Sequence, residues 1–409
     1  MSNDNNNQEQ NDFVDLRGDA PGQTPPHRAP APHTSDHGGK PRRKRKWPII
    51  TLIVIAVLAL ASMVQITGGR MISGNMAGGT PVYDESFVAA SVSSLDIRLS
   101  TARINVRRHN NNDVRVVFDA NRRDDAARPV YTLDVQGNLR IGLLDSRSDW
   151  SISFGIPPFR SSTLTIYLPW GLELENVSLT ATTGRINAAN IEASGDVQIR
   201  TTTGRITAEN IVGGNLDISA TTGRITIDDA TTNSGDAQIR ATTGSISAER
   251  INSAANLTAS ATTGRTVLSD IDAAGSFAVS TTTGRIRVDR ANAANLRTTA
   301  TTGRVTLAGL DVQGDVEVRT TTGSVNVDGA NARYIQTSST TGRNTINYIN
   351  TTGGATVRTT TGRIAVSDSR IDGALSASAT TGRISLSNVD TDMNRANLNN
   401  NRNARISVN

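Results

Sequence analysis

The chain has 409 residues, 36% hydrophobic and 3% aromatic, too lean for one large globular core but compatible with a stacked structure whose core is narrow. It contains no cysteine, which excludes disulfides, thiolate metal sites and cysteine nucleophiles. The formal charge of +5 is no sign of nucleic-acid binding: all three lysines (Lys40, Lys44, Lys46) precede residue 47, and residues 171–390 hold 19 arginines against 20 acids.

Residues 1–46 are rich in Asn, Gln, Asp, Pro and His and nearly devoid of aliphatic residues, so they are expected to be a disordered leader on the cytoplasmic side. They end in Pro41-Arg42-Arg43-Lys44-Arg45-Lys46, and an uncharged apolar run follows over 47–67. At 1.5 Å per residue that run makes about 30 Å of helix, the thickness of a bilayer core, and predicts one transmembrane helix. The basic cluster before it predicts a cytoplasmic N-terminus and a C-terminal part outside the cytoplasmic membrane. The competing reading is a cleaved signal peptide processed at Ala59-Leu60-Ala61, which the length of the leader disfavours.

Residues 68–86, with Gly78-Gly79-Thr80-Pro81, read as a linker. From 87 to 175 short alternating segments such as Leu95-Asp96-Ile97-Arg98-Leu99 and Leu164-Thr165-Ile166-Tyr167-Leu168, separated by Asn, Asp and Gly turns, predict a β-rich capping domain.

The segment 176–390 is a repeat. Thr-Thr-Gly recurs with glycines at 184, 204, 223, 244, 264, 284, 303, 323, 342, 362 and 382, a period of about twenty that predicts an all-β parallel β-solenoid, or β-helix, of about eleven coils. Aliphatic residues stand seven and five residues before each glycine (Val197 and Ile199, Leu216 and Ile218), and Ala, Thr or Ser stands three before it. Spacing of two puts these on one strand face, the inner one. A second inner pair lies two and four past the glycine (Ile206 and Ala208, Ile225 and Ile227), and a third apolar point seven past it (Ile191, Ile211).

Three devices support closure of such coils. Glycine permits the positive φ of a tight corner. Asn, Asp or Ser just before the first inner residue (Asn176, Asp196, Asn215, Asp236, Asn256, Ser276, Asn295, Asp315) is placed to bond its own backbone and stack as a turn ladder. All twelve prolines fall at or before Pro169, leaving every donor of the repeat region free for pairing. The polar tail 391–409 is expected to cap the open end.

From Leu164-Thr165-Ile166-Tyr167-Leu168-Pro169-Trp170-Gly171 through Leu174-Glu175-Asn176-Val177-Ser178-Leu179 to Thr182-Thr183-Gly184-Arg185-Ile186, the chain resembles the bacterial putative-adhesin family of unknown function. The resemblance covers about 87–390. It implies irregular strands, a Leu-Pro step and then Thr-x-Gly-Asp-Ile-type coils behind one membrane helix, in an envelope-surface protein with some relatives tied to envelope stress. Where the family carries Asp after the glycine, this chain has Arg in nine coils.

Those nine form the candidate site: Arg185, Arg205, Arg224, Arg265, Arg285, Arg304, Arg343, Arg363 and Arg383. One reading pairs them within the wall to Glu209, Asp228, Glu249, Asp289 and Asp328, five residues past their glycines. The sharper reading is a stripe that grips anionic envelope polymers through guanidinium forks, with surface proteins as further partners. The exposed threonine column resembles an ice-binding ladder, but Arg200, Arg240, Arg319 and Arg358 interrupt its neighbour. Catalysis has little to draw on: the repeats lack His, Cys and Lys, His27, His33, His37 and His109 lie outside them, and no acid and base cluster together. No enzyme, cofactor, metal or nucleic-acid role is expected. The alternative to a binding scaffold is a purely structural surface spacer.

Overall fold

A computed structural model describes residues 63–67, 70–71, 82–119, 128–144, 162–392, 395–400 and 405–408. The chain divides into two units, Met1–Val54 and Ile55–Asn409, and every described residue lies in the second. The fold is all-β: among the described residues the only helix is the 3-10 turn Ala89–Ser91, and no helix is long and apolar enough to cross a membrane.

Eight strands precede the repeats: β1 (Met63–Thr67), β2 (Arg70–Met71), β3 (Val82–Val88), β4 (Ser94–His109), β5 (Asp113–Asp119), β6 (Arg128–Asp134), β7 (Asn138–Leu144) and β8 (Thr163–Pro169). The leader 1–46 and residues 47–62 of the expected membrane helix lie outside the described residues. The end of that helix is corrected: Met63–Thr67 is strand, antiparallel to residues 130–134 of β6. Three of its five residues, Val64, Ile66 and Thr67, are β-branched and suit a pleated surface once a partner strand is available. The expected linker also contains pairing, Arg70 and Met71 against Asp84 and Tyr83, and β3 begins before residue 87.

The stack of coils starts earlier than residue 176. Strand β4 is parallel to β9 (Asn176–Glu192) in the register of the repeats, Leu95 on Val177, Ile97 on Leu179, Ala102 on Gly184, Arg103 on Arg185 and Ile104 on Ile186. Ser100-Thr101-Ala102-Arg103 therefore stands where later coils write Thr-Thr-Gly-Arg. On its other side β4 is parallel to β7 and β8, which make one further incomplete rung. Antiparallel strands then close this end: β6 lies against β7, and β5 against β8 and β3. This cap buries aromatic rings, with Tyr83 6.3 Å from Phe118 and Phe87 6.0 Å from Tyr131 between centroids. Burial raises the Tyr131 hydroxyl well above the usual tyrosine value.

Strands β10 (Asp196–Gly213), β11 (Asn215–Thr232), β12 (Ala237–Ser253), β13 (Leu257–Val312), β14 (Asp315–Thr322), β15 (Val325–Ile371) and β16 (Ala374–Thr391) continue the parallel stack, each coil in register with the last. The inner columns are those read from the periodicity. Every residue seven, five and three before a repeat glycine is buried, as is every residue two and four past it, including Phe277. A third side is formed by the position seven past the glycine and by one nine past it, such as Ala193, Thr232, Ser253 and Val312.

The corners differ from expectation in mechanism. The repeat glycines have φ between 146° and 159°. A Cβ built on Gly204 would lie 1.6 Å from the carbonyl oxygen of Gly184, and the same approach recurs up the column. Glycine is thus required by the coil beneath as well as by the bend. The left-handed corner lies six residues further on, at Asn190, Asn210, Asp229, Arg250, Asp270, Arg290, Gly309, Gly329, Tyr348, Asp368 and Asn388, all with φ between 48° and 73°. Asn and Asp enter this conformation most readily after glycine, and they hold six of these positions. At the third corner the expected ladder is present, but its side chains bond the backbone of the next coil rather than their own: Asn176 Oδ1 accepts from Asp196 N (2.9 Å), Asn215 Oδ1 from Asp236 N (2.9 Å) and Asn256 Oδ1 from Ser276 N (2.9 Å).

The tail extends the stack. Strand β17 (Asn397–Asn400) pairs with residues 376–379, and β18 (Arg405–Val408) sets Arg405 on Arg383 and Ile406 on Ile384.

Candidate functional site

The arginine column follows from the glycine column. Each arginine succeeds a glycine whose position is dictated by the coil beneath, so its Cα inherits the stacking register: Arg185, Arg205 and Arg224 lie one above another, then Ser245 and Arg265. The following residue is inward and buried, which turns the arginine outward. All nine predicted residues are exposed. Arg103 extends the column at the cap end, and the backbone of Arg405 continues it at the other.

Among the described residues, none of the nine forms an ion pair. The wall-pairing reading is therefore overturned. Asp228 and Glu249 pair with Arg250, and Asp289 pairs with Arg287. The other walls are neutralised in the same way: Arg200 and Arg240 meet Asp217, Arg297 and Arg319 meet Glu317, Arg333 meets Asp315 and Arg370 meets Asp372. Of the ten repeat arginines outside the column, only Arg358 lacks such a partner among the described residues. Two unit charges 4 Å apart repel by about 1 kcal/mol in water, so a column of unpaired arginines spaced by the sheet ladder is a standing electrostatic cost that splaying and salt only reduce.

Arg103, Arg185, Arg205 and Arg224, with the four repeat glycines from Gly184 to Gly244 and Ser245, line an open groove of about 650 Å³. Arg265, Arg285 and Arg304 line a second of about 270 Å³ with Val267, Arg287 and Thr306. The Arg103 Nε is buried without a hydrogen-bond partner. Arg304 Nε donates to Ser324 Oγ at 3.2 Å. By contrast Arg108, whose side chain is 4% exposed, is structural: it donates to the carbonyls of Asn190 (2.7 Å), Pro169 (2.5 Å) and Leu172 (2.9 Å), tying the cap to the first left-handed corner. Burial lowers its pKa from the ordinary arginine value, with Glu192 opposing.

A family model described as Toastrack DUF4097 matches residues 92–302 and 269–401, beginning just before β4. The chain belongs to the Toastrack family. Solved structures similar to it include a putative cell adhesion protein from Clostridium sporogenes (11% identity, 60% of this chain and 99% of that one, TM-score 0.26) and a putative adhesin from Bacteroides fragilis (12%, 80% and 97%, 0.19). A putative lipid binding protein from Parabacteroides distasonis is also similar (12%, 81% and 98%, 0.23). No match is found among curated proteins.

On this Toastrack chain both threonines before each repeat glycine are exposed, so two hydroxyl columns run beside the arginines. The second threonine is in the ladder (Thr203 on Thr183), while the first falls in the gap of the pairing register. Among the described residues no group of three or more His, Asp or Glu is placed to hold a metal ion. The left-handed corner was the feature missed in the sequence, although Asn, Asp or Gly at a constant offset of six from the glycine was a usable signal.

Proposed function

We propose that this Toastrack chain is a binding scaffold of the cell envelope, anchored to the membrane by the uncharged run before residue 63, that holds anionic envelope polymers on its arginine column. The observation that carries this reading is the contrast in pairing: acids reach nearly every other repeat arginine and none of the nine in the column. Charges left in water at one register along a rigid sheet are ready to form charge-assisted, bidentate contacts with phosphate or carboxylate without first breaking an internal pair. A spacer has no need of such a column.

The test is retention on purified wall polymer. Changing Arg265, Arg285 and Arg304 together to Ser should lower affinity at least tenfold, the loss of about 1.4 kcal/mol of binding, while the unfolding temperature holds or rises. Serine already occupies this position in two coils, so the variant should fold. Unchanged retention would leave the spacer reading. Membrane anchorage is checked separately by whether residues 87–409 are cleaved by protease added to intact cells.

A further inference from the structure

The column is interrupted in a regular way. Counting coils from Arg103, serine replaces arginine at the fourth coil after it (Ser245) and again four coils later (Ser324). This leaves runs of Arg103, Arg185, Arg205 and Arg224, then Arg265, Arg285 and Arg304, then Arg343, Arg363 and Arg383 with the backbone of Arg405 in line. The first two runs are the two grooves.

Spacing within a run is set by the parallel ladder, about 4.8 Å per coil, and side chains adjust it only by splaying. A ligand that satisfies consecutive arginines must repeat its charge at nearly that interval and lie along the axis. Beside the arginines stand neutral hydrogen-bonding groups in most coils: the exposed Thr203, Thr222 and Thr263 on one side, and the half-buried Thr207, Thr226 and Thr306 on the other, where Val267 and Arg287 break the column. A ligand carrying hydroxyls between its charges uses both features, whereas a bare string of phosphates uses only one.

We infer that the column takes a linear acidic polysaccharide with one carboxylate per sugar, laid along the solenoid axis in three consecutive subsites separated by Ser245 and Ser324. This rests on the reading that the column binds anions. Serine places no like charge between runs, and at one junction Ser324 Oγ accepts a hydrogen bond from Arg304 Nε, so each run binds as a unit. Affinity then grows with chain length by linkage of subsites.

The test uses the full-length chain titrated with oligogalacturonates of defined length, with hyaluronan fragments, which carry a carboxylate on alternate sugars, and with inorganic polyphosphate, all matched for total charge. A tetramer should bind, and a dodecamer should bind at least about tenfold more tightly, ahead of hyaluronan and polyphosphate at equal charge. Ser245→Arg with Ser324→Arg should tighten the dodecamer by about threefold and leave a trimer, whose three carboxylates each run already meets, unchanged. Other coils carry arginine there, so folding is not at issue. Equal binding of all three polymers at equal charge, or a gain for every length alike, would overturn the register-matched subsites while leaving anion binding intact. Binding of none would overturn both readings.

Discussion

Arg285 and Arg290 lie five residues apart on one strand and live in different electrostatic settings. Arg290 occupies the left-handed corner, where the coil beneath supplies Asp270, and its Nε and Nη2 meet the two carboxylate oxygens at 2.5 and 2.6 Å. Arg285 follows the glycine corner, where the columnar neighbours are Arg265 and Arg304, and it has no ion pair among the described residues. The difference teaches that in a solenoid a side chain's partner is decided by what stands in its column, about twenty residues away in sequence. Glu209, Asp228 and Asp289 looked well placed for the column because they share its strands, yet two of them turn to arginines at other positions.

The comparison breaks most completely at the backbone beneath Arg285. A Cβ on Gly284 would sit 1.7 Å from the carbonyl oxygen of Gly264, so Gly284→Ala is expected to cost roughly 3 to 5 kcal/mol in urea unfolding. The same logic of columns applies inside. Asn344 is fully buried where most coils carry Ile or Val, its Nδ2 donates to the Arg358 carbonyl (2.9 Å), and its Oδ1 has no partner. Asn344→Ile should raise stability by about 1 to 2 kcal/mol, read from the same unfolding curves. At the corner that carries Arg290 a side chain is tolerated: a Cβ on Gly309 meets nothing closer than 3.5 Å. Gly309→Ala should therefore cost only the left-handed strain, about 1 kcal/mol.

The smallest effect separates the two arginines by pH. The hydrogen bond from Arg290 holds Asp270 below the ordinary aspartate value of 3.8. A carboxylate depressed in the folded state contributes stability that is present above that ordinary value and is lost as pH falls through the depressed one. Arg290→Ser should slightly lower stability near neutrality and flatten this acid dependence. Arg285→Ser should leave the acid dependence unchanged and neutral stability the same or slightly higher, and parallel acid titrations of the two variants measure the difference.

The inner columns were legible because the period-two alternation around each Thr-Thr-Gly survives nearly every substitution, down to Phe277 pointing inward. The coil at Ser94–His109 was not, because Ala102 replaces the marker glycine and the cap strands intervene before Asn176 resumes the stack. The left-handed corner escaped because Arg250, Arg290 and Tyr348 dilute its Asn, Asp and Gly signature. Met63–Thr67 was drawn into a helix by hydropathy, which is blind to a strand partner arriving from residues 130–134.

The sequence by itself determined the period, which side chains face in, and where arginine recurs, since all three are local patterns repeated many times. Tertiary structure alone decided which arginines are neutralised, where the stack begins, and why the marker residue must be glycine. The physical reason is that charge pairing and backbone contact act across the distance between neighbouring coils, and only stacking brings residues about twenty positions apart within reach of one another.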